Sequence, residues 1–85
     1  MVTFRLTIPQ FEQLLAVILR PEAPDHLTNL VLMACTRPRD GVIAVPVSLP
    51  DAKAICELVD AAANDEAVHV DFALLLDRQR TGDVP

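Results

Sequence analysis

His69 and Asp71 stand two positions apart in the segment Val68-His69-Val70-Asp71-Phe72. On a strand that spacing puts an imidazole and a carboxylate on one face, the pairing a general base and its orienting acid require. Arg5 and Thr3, in an alternating segment near the start of the chain, would neighbour them if the first and last segments pair, giving a four-residue polar site. The same four side chains also make an ordinary solvated sheet face with an Arg5–Asp71 ion pair worth roughly 0–1 kcal/mol, and this second reading is the one adopted. His26 falls in a proline-bearing loop and is expected to be exposed.

Other reactive groups are scarce. The single serine, Ser48, precedes Leu49-Pro50-Asp51 and reads as a helix cap, which leaves no Ser-His-Asp arrangement. With two glycines there is no Gly-rich phosphate cradle. Cys35 and Cys56 have no Cys or His at metal-ligand spacing and are too few for a disulfide framework, so both are read as reduced, buried thiols. The acidic residues are spread singly. No metal or cofactor is therefore expected.

The basic residues are distributed less evenly. Arg37 and Arg39, and again Arg78 and Arg80, form Arg-x-Arg pairs that hold four of the seven Lys and Arg residues. They read either as charges guarding the ends of edge strands or as one patch that contacts an anion or an acidic partner. The net charge of −5 argues against nucleic acid as that partner.

The elements that must carry these groups follow from periodicity. Val2, Phe4, Leu6 and Ile8 alternate with Thr3, Arg5 and Thr7, and Ile43, Val45 and Val47 alternate with Ala44, Pro46 and Ser48, which predicts two strands. Thr7 and Ser48 then stand as N-caps, with Gln10 and Asp51 three residues on and a proline in each first turn. The first helix presents Phe11, Leu14, Leu15 and Ile18 and stops before Pro21 and Pro24; the second presents Ala52, Ile55, Cys56 and Val59 and frays near Asn64.

Residues 68–76 alternate again and are assigned to a strand. Leu27, Leu30, Val31 and Ala34 would also make a helical stripe headed by Asp25, but by analogy with the second half residues 27–36 are assigned to a strand, closed by a hairpin turn at Asp40-Gly41. Thr7-Ile8-Pro9-Gln10 and Ser48-Leu49-Pro50-Asp51 lie 41 positions apart, as do Arg37-Pro38-Arg39 and Arg78-Gln79-Arg80, so the halves read as two diverged βαβ units over 1–41 and 42–82. The predicted fold is α+β, a ferredoxin-like βαββαβ arrangement with strand order 4-1-3-2 and both helices on one face, in one domain over 1–78 followed by a flexible tail at 79–85. Pro46 conflicts with a central third strand, because proline cannot donate to a ladder.

The chain shows no basic start with an apolar stretch and no apolar run near the roughly 20 residues a membrane span needs, so a soluble cytoplasmic protein without membrane contact is expected. At 85 residues the core is thin, and self-association would add to it. The expected function is a non-catalytic interaction module that binds a protein partner or a second copy through the sheet face opposite the helices, at Leu30, Leu32, Ala34, Ala44, Pro46 and Leu75. The runner-up is a small-ligand-sensing regulatory domain. Thr7-Ile8-Pro9-Gln10 resembles the first strand-helix turn near which ACT-type βαββαβ sensors bind amino acids, without its glycine. A small enzyme using His69 and Asp71 comes third.

Overall fold

The computed structural model describes residues 2–34 and 39–82. The two alternating segments form strands β1 (Val2–Thr7) and β2 (Val42–Val47), paired antiparallel with Val2 opposite Val47 and Thr7 opposite Val42. Period two sorts their side chains: Phe4, Leu6, Ile43, Val45 and Val47 are buried, while Thr3, Arg5, Thr7, Val42, Ala44 and Pro46 face the other way.

Each strand runs straight into a helix. In α1 (Ile8–Ile18) the Oγ1 of Thr7 accepts from the Gln10 N–H at 3.3 Å, and the Gln10 Oε1 accepts from the Thr7 N–H at 2.9 Å, a complete capping box. In α3 (Leu49–Asn64) the Ser48 Oγ accepts from the Asp51 N–H at 3.3 Å, but the Asp51 carboxylate turns instead to the His26 Nε2 at 3.1 Å.

A four-stranded ferredoxin-like sheet is not formed: among the described residues the sheet has two strands. The expected closing strands are helices α2 (Asp25–Ala34) and α4 (Val70–Thr81). In α2, Leu27 and Val31 are fully buried while Leu30 and Ala34 pack against the core, and only a helix brings all four to one side. In α4 the buried residues are Phe72, Ala73 and Leu76; a strand would send neighbours Phe72 and Ala73 to opposite faces. Asp71 in the first turn and Arg78 and Arg80 in the last complement the helix dipole, and Gly82, at φ 76°, ends the helix in the left-handed conformation. Because α4 reaches Thr81, residues 79–81 belong to a helix and not to a tail.

The element order is thus strand-helix-helix twice, not βαβ twice. The halves interlock: α4 packs on β1, α2 packs on β2, and α1 packs on α3 across the middle. Phe4 pairs with Val45, the residue 41 positions on.

Pro46 fits because β2 is an outer strand. The Arg5 N–H and C=O both point away from β2, to the side chain of Gln79 on α4, so Arg5 and Ala44 are a non-hydrogen-bonded pair. Two residues along, Thr3 and Pro46 share that status, and the missing N–H of Pro46 falls on the free edge where no ladder bond needs it. No bulge is required. Val42, on the same parity, exchanges two 2.9 Å backbone hydrogen bonds with Arg39 around Asp40-Gly41, both at positive φ (54° and 76°), the geometry of a tight hairpin turn.

The core is aliphatic, with Leu14, Ile18, Leu27, Ile55, Val59 and Leu76 fully buried around Phe4 and Leu6. Met33, Val70 and Leu74 are exposed, because the helices rotate them off the buried stripe. No helix among the described residues is long and apolar enough to cross a membrane.

Candidate protein-interaction surface

On the outward side of the molecule α2 and β2 enclose an apolar groove of about 780 Å³. Leu30, Met33 and Ala34 form its helical wall, and Val42, Ala44 and Pro46 its strand wall. The local sequence dictates this. The three strand residues share the parity opposite Ile43, Val45 and Val47, so burying the latter turns the former out. On α2 the buried stripe at Leu27 and Val31 leaves Met33 73% exposed at its flank. Arg39 is the one charged residue among the described residues of the lining, its backbone held by the two bonds to Val42.

Of the residues expected at an interface, Leu30, Ala34, Ala44 and Pro46 therefore meet in one groove. Leu32, 40% exposed, is on α2 outside that lining, and Leu75 is half-buried on α4 in a different cleft. Met33 and Val42 were missed; Met33 sits three residues after Leu30, and Val42 continues the parity of Ala44 and Pro46, so both were within reach of the pattern.

The arginines do not gather in one cavity. Arg39 lies in the groove, Arg78 lines a cleft between α1 and α4, and Arg80 sits beside Asp77, with Nε 3.9 Å from the Asp77 Oδ1. Arg37 falls outside the described residues.

His69 and Asp71 do share the cleft between α1 and α4, of about 440 Å³, with Gln10, Gln13 and Arg78 among its walls. Neither Arg5 nor Thr3 is in it, since β1 pairs with β2 and not with residues 68–76. His69 is the N-cap of α4 without a side-chain capping bond, and no described hydrogen bond links it to Asp71. Sequence reasoning overlooked Gln13, whose Oε1 is buried here with no hydrogen-bond partner.

Cys56 is buried between α3 and α4. Burial, then the charge of Asp77 and a hydrogen bond to it, push its thiol up to about 12, against the weaker opposing pull of Arg80. Such a thiol is protonated at neutral pH and unsuited to nucleophilic chemistry. Asp60 on the same side of α3 is also raised, first by partial burial and then by Asp77, with Glu57 adding to it and Arg80 opposing. Cys35 falls outside the described residues. No group of three or more His, Cys, Asp or Glu side chains among the described residues is placed to hold a metal ion.

Comparison with protein-family models, with curated proteins and with solved structures gives no match to this chain.

Proposed function

We propose that this chain is a non-catalytic interaction module that docks a protein partner in the groove between α2 and β2. The observation that supports this is the groove itself: six apolar residues, drawn from two elements on the outward side, surround a space of about 780 Å³. The raised Cys56 thiol is held protonated at neutral pH, which accords with a non-catalytic reading.

The test compares the native protein with Ala44→Asp as bait. Ala44 is exposed and outward, so the aspartate loads the groove without entering the core. A protein retained by the native chain and by a distant control, Glu12→Gln, but lost with Ala44→Asp supports the proposal. Equal retention by all three refutes it. Sedimentation decides whether the partner is a second copy, since a single species near 9.3 kDa at high micromolar concentration leaves only a different protein.

One observation favours a second reading, a small-ligand sensor. Gln13 lines the cleft with His69 and Asp71, and its buried Oε1 has no hydrogen-bond partner, an acceptor that calls for a donor. A metabolite panel read by thermal shift tests it, a ligand at 100 times its Kd adding about 2.7 kcal/mol.

A further inference from the structure

Building on the docking reading above, we infer that the occupant of the α2–β2 groove is an amphipathic helix of a partner protein whose apolar face is flanked by a carboxylate, which Arg39 receives. Three features of the groove select this occupant.

The first is charge. Among the described residues of the lining Arg39 is the one charged side chain, and no described residue forms an ion pair with it, whereas Arg20 is paired with Asp65 at 3.6 Å and Arg80 with Asp77 at 3.9 Å. Its backbone is fixed at the groove by the Asp40-Gly41 turn. In a chain of net charge −5, an unshared guanidinium beside an apolar surface is complementary to a carboxylate that approaches at short range.

The second is size. Seven described residues line the groove, against about 20–30 on each side of a standard interface between two folded subunits. The footprint is that of a short segment and not of a second copy of this chain.

The third is hydrogen bonding. Apart from Arg39 the described lining side chains offer no polar group, and on the strand wall Pro46 removes the donor that strand addition would use. An extended peptide would leave main-chain groups unpaired there. A helix brings its own backbone bonds and needs only side-chain contacts.

The test uses two fluorescein-labelled helical peptides with leucines at i, i+3, i+4 and i+7, one flanked by glutamates and the other by lysines, read by anisotropy against the full chain. The glutamate peptide should bind about tenfold more tightly than the lysine peptide, Arg39→Glu should invert that preference, and Ala44→Asp should abolish both. Circular dichroism of each variant confirms the fold.

If Ala44→Asp abolishes binding while Arg39→Glu leaves the preference unchanged, docking in the groove stands and the carboxylate is wrong. If Ala44→Asp binds as the native chain does, the docking reading itself fails. Failure of both peptides to bind, or a dimer that Ala44→Asp dissociates in their absence, overturns the helical occupant.

Discussion

The side-chain amide of Gln79 makes with Arg5 both hydrogen bonds that a third strand would make: its Oε1 accepts the Arg5 N–H at 2.7 Å, and its Nε2 donates to the Arg5 C=O at 3.0 Å. Pro46, the residue 41 positions after Arg5, occupies the matching place on the outer edge of β2 and presents no N–H at all. Each edge of the two-stranded sheet is closed to pairing by a different device, at positions that correspond under the 41-residue offset.

Gln79→Ala should therefore cost about 1–3 kcal/mol, two ordinary hydrogen bonds, and should speed amide exchange at Arg5 while Phe4 and Leu6, bonded to β2, keep their protection. Gln79→Glu should keep the bond from the Arg5 N–H and lose the other, for a smaller effect. Urea melts and residue-resolved hydrogen exchange measure both. Unchanged exchange at Arg5 in the alanine variant would show that the amide is not the guard.

The caps should cost alike. Thr7→Ala and Ser48→Ala each remove one 3.3 Å side-chain bond to a first-turn N–H, so each should destabilise by about 1 kcal/mol, and the bond from the Thr7 N–H to Gln10 should survive Thr7→Ala. Chemical denaturation of the two variants under one set of conditions checks this, and a loss from Thr7→Ala well above that from Ser48→Ala would contradict it.

The Cys56 thiol should resist modification. In a Cys35→Ser background, an aromatic disulfide reagent at pH 8 should label Cys56 only after denaturant is added. Because its pKa rises from 9.0 unfolded to about 12 folded, the protonated thiol's contribution is fully present below pH 9 and is lost as pH climbs from about 9 toward about 12. Stability of Cys56→Ala should accordingly fall less steeply than the native protein's over that window.

Asp60 carries the opposite lesson for a charge at neutral pH. Its raised pKa means that the ionised form is disfavoured in the fold, so Asp60→Asn should raise the melting temperature at pH 7, and the gain should vanish as pH drops below about 4. A melting temperature for the variant at or below that of the native protein at pH 7 would contradict this.

Four of the six elements were legible in the residues. Alternation at residues 2–7 and 42–47, and the Thr7 and Ser48 caps with proline behind them, led directly to β1, β2, α1 and α3. The other two helices were misassigned for separate physical reasons. Residues 72–76, Phe-Ala-Leu-Leu-Leu, are apolar at every position, so period two and period 3.6 both fit, and the deciding signals lay at the ends: Asp71 early, Arg78 and Arg80 late, Gly82 just beyond. For residues 27–34 the helical stripe was visible, but analogy with the second half outweighed it. The groove was partly legible, since the outward parity of Ala44 and Pro46 depends only on β2. Its other wall depends on α2 being a helix, and Gln79 and Gln13 act through contacts distant in sequence that no local pattern announces.

The interlocking of the halves has a kinetic meaning. Because α4 packs on β1 and α2 on β2, the second helix of each half makes its main strand contact with the strand of the other half. The first half of the chain, as it is synthesised, can form α1 and α2 but has nothing to pair with β1 until β2 follows about 40 residues later, and Arg5 waits for Gln79, 74 positions on. Contacts of such sequence separation form late and slow the search. Two fragments cut at the Asp40-Gly41 turn should consequently be largely unstructured apart and fold on mixing, with a rate that depends on concentration.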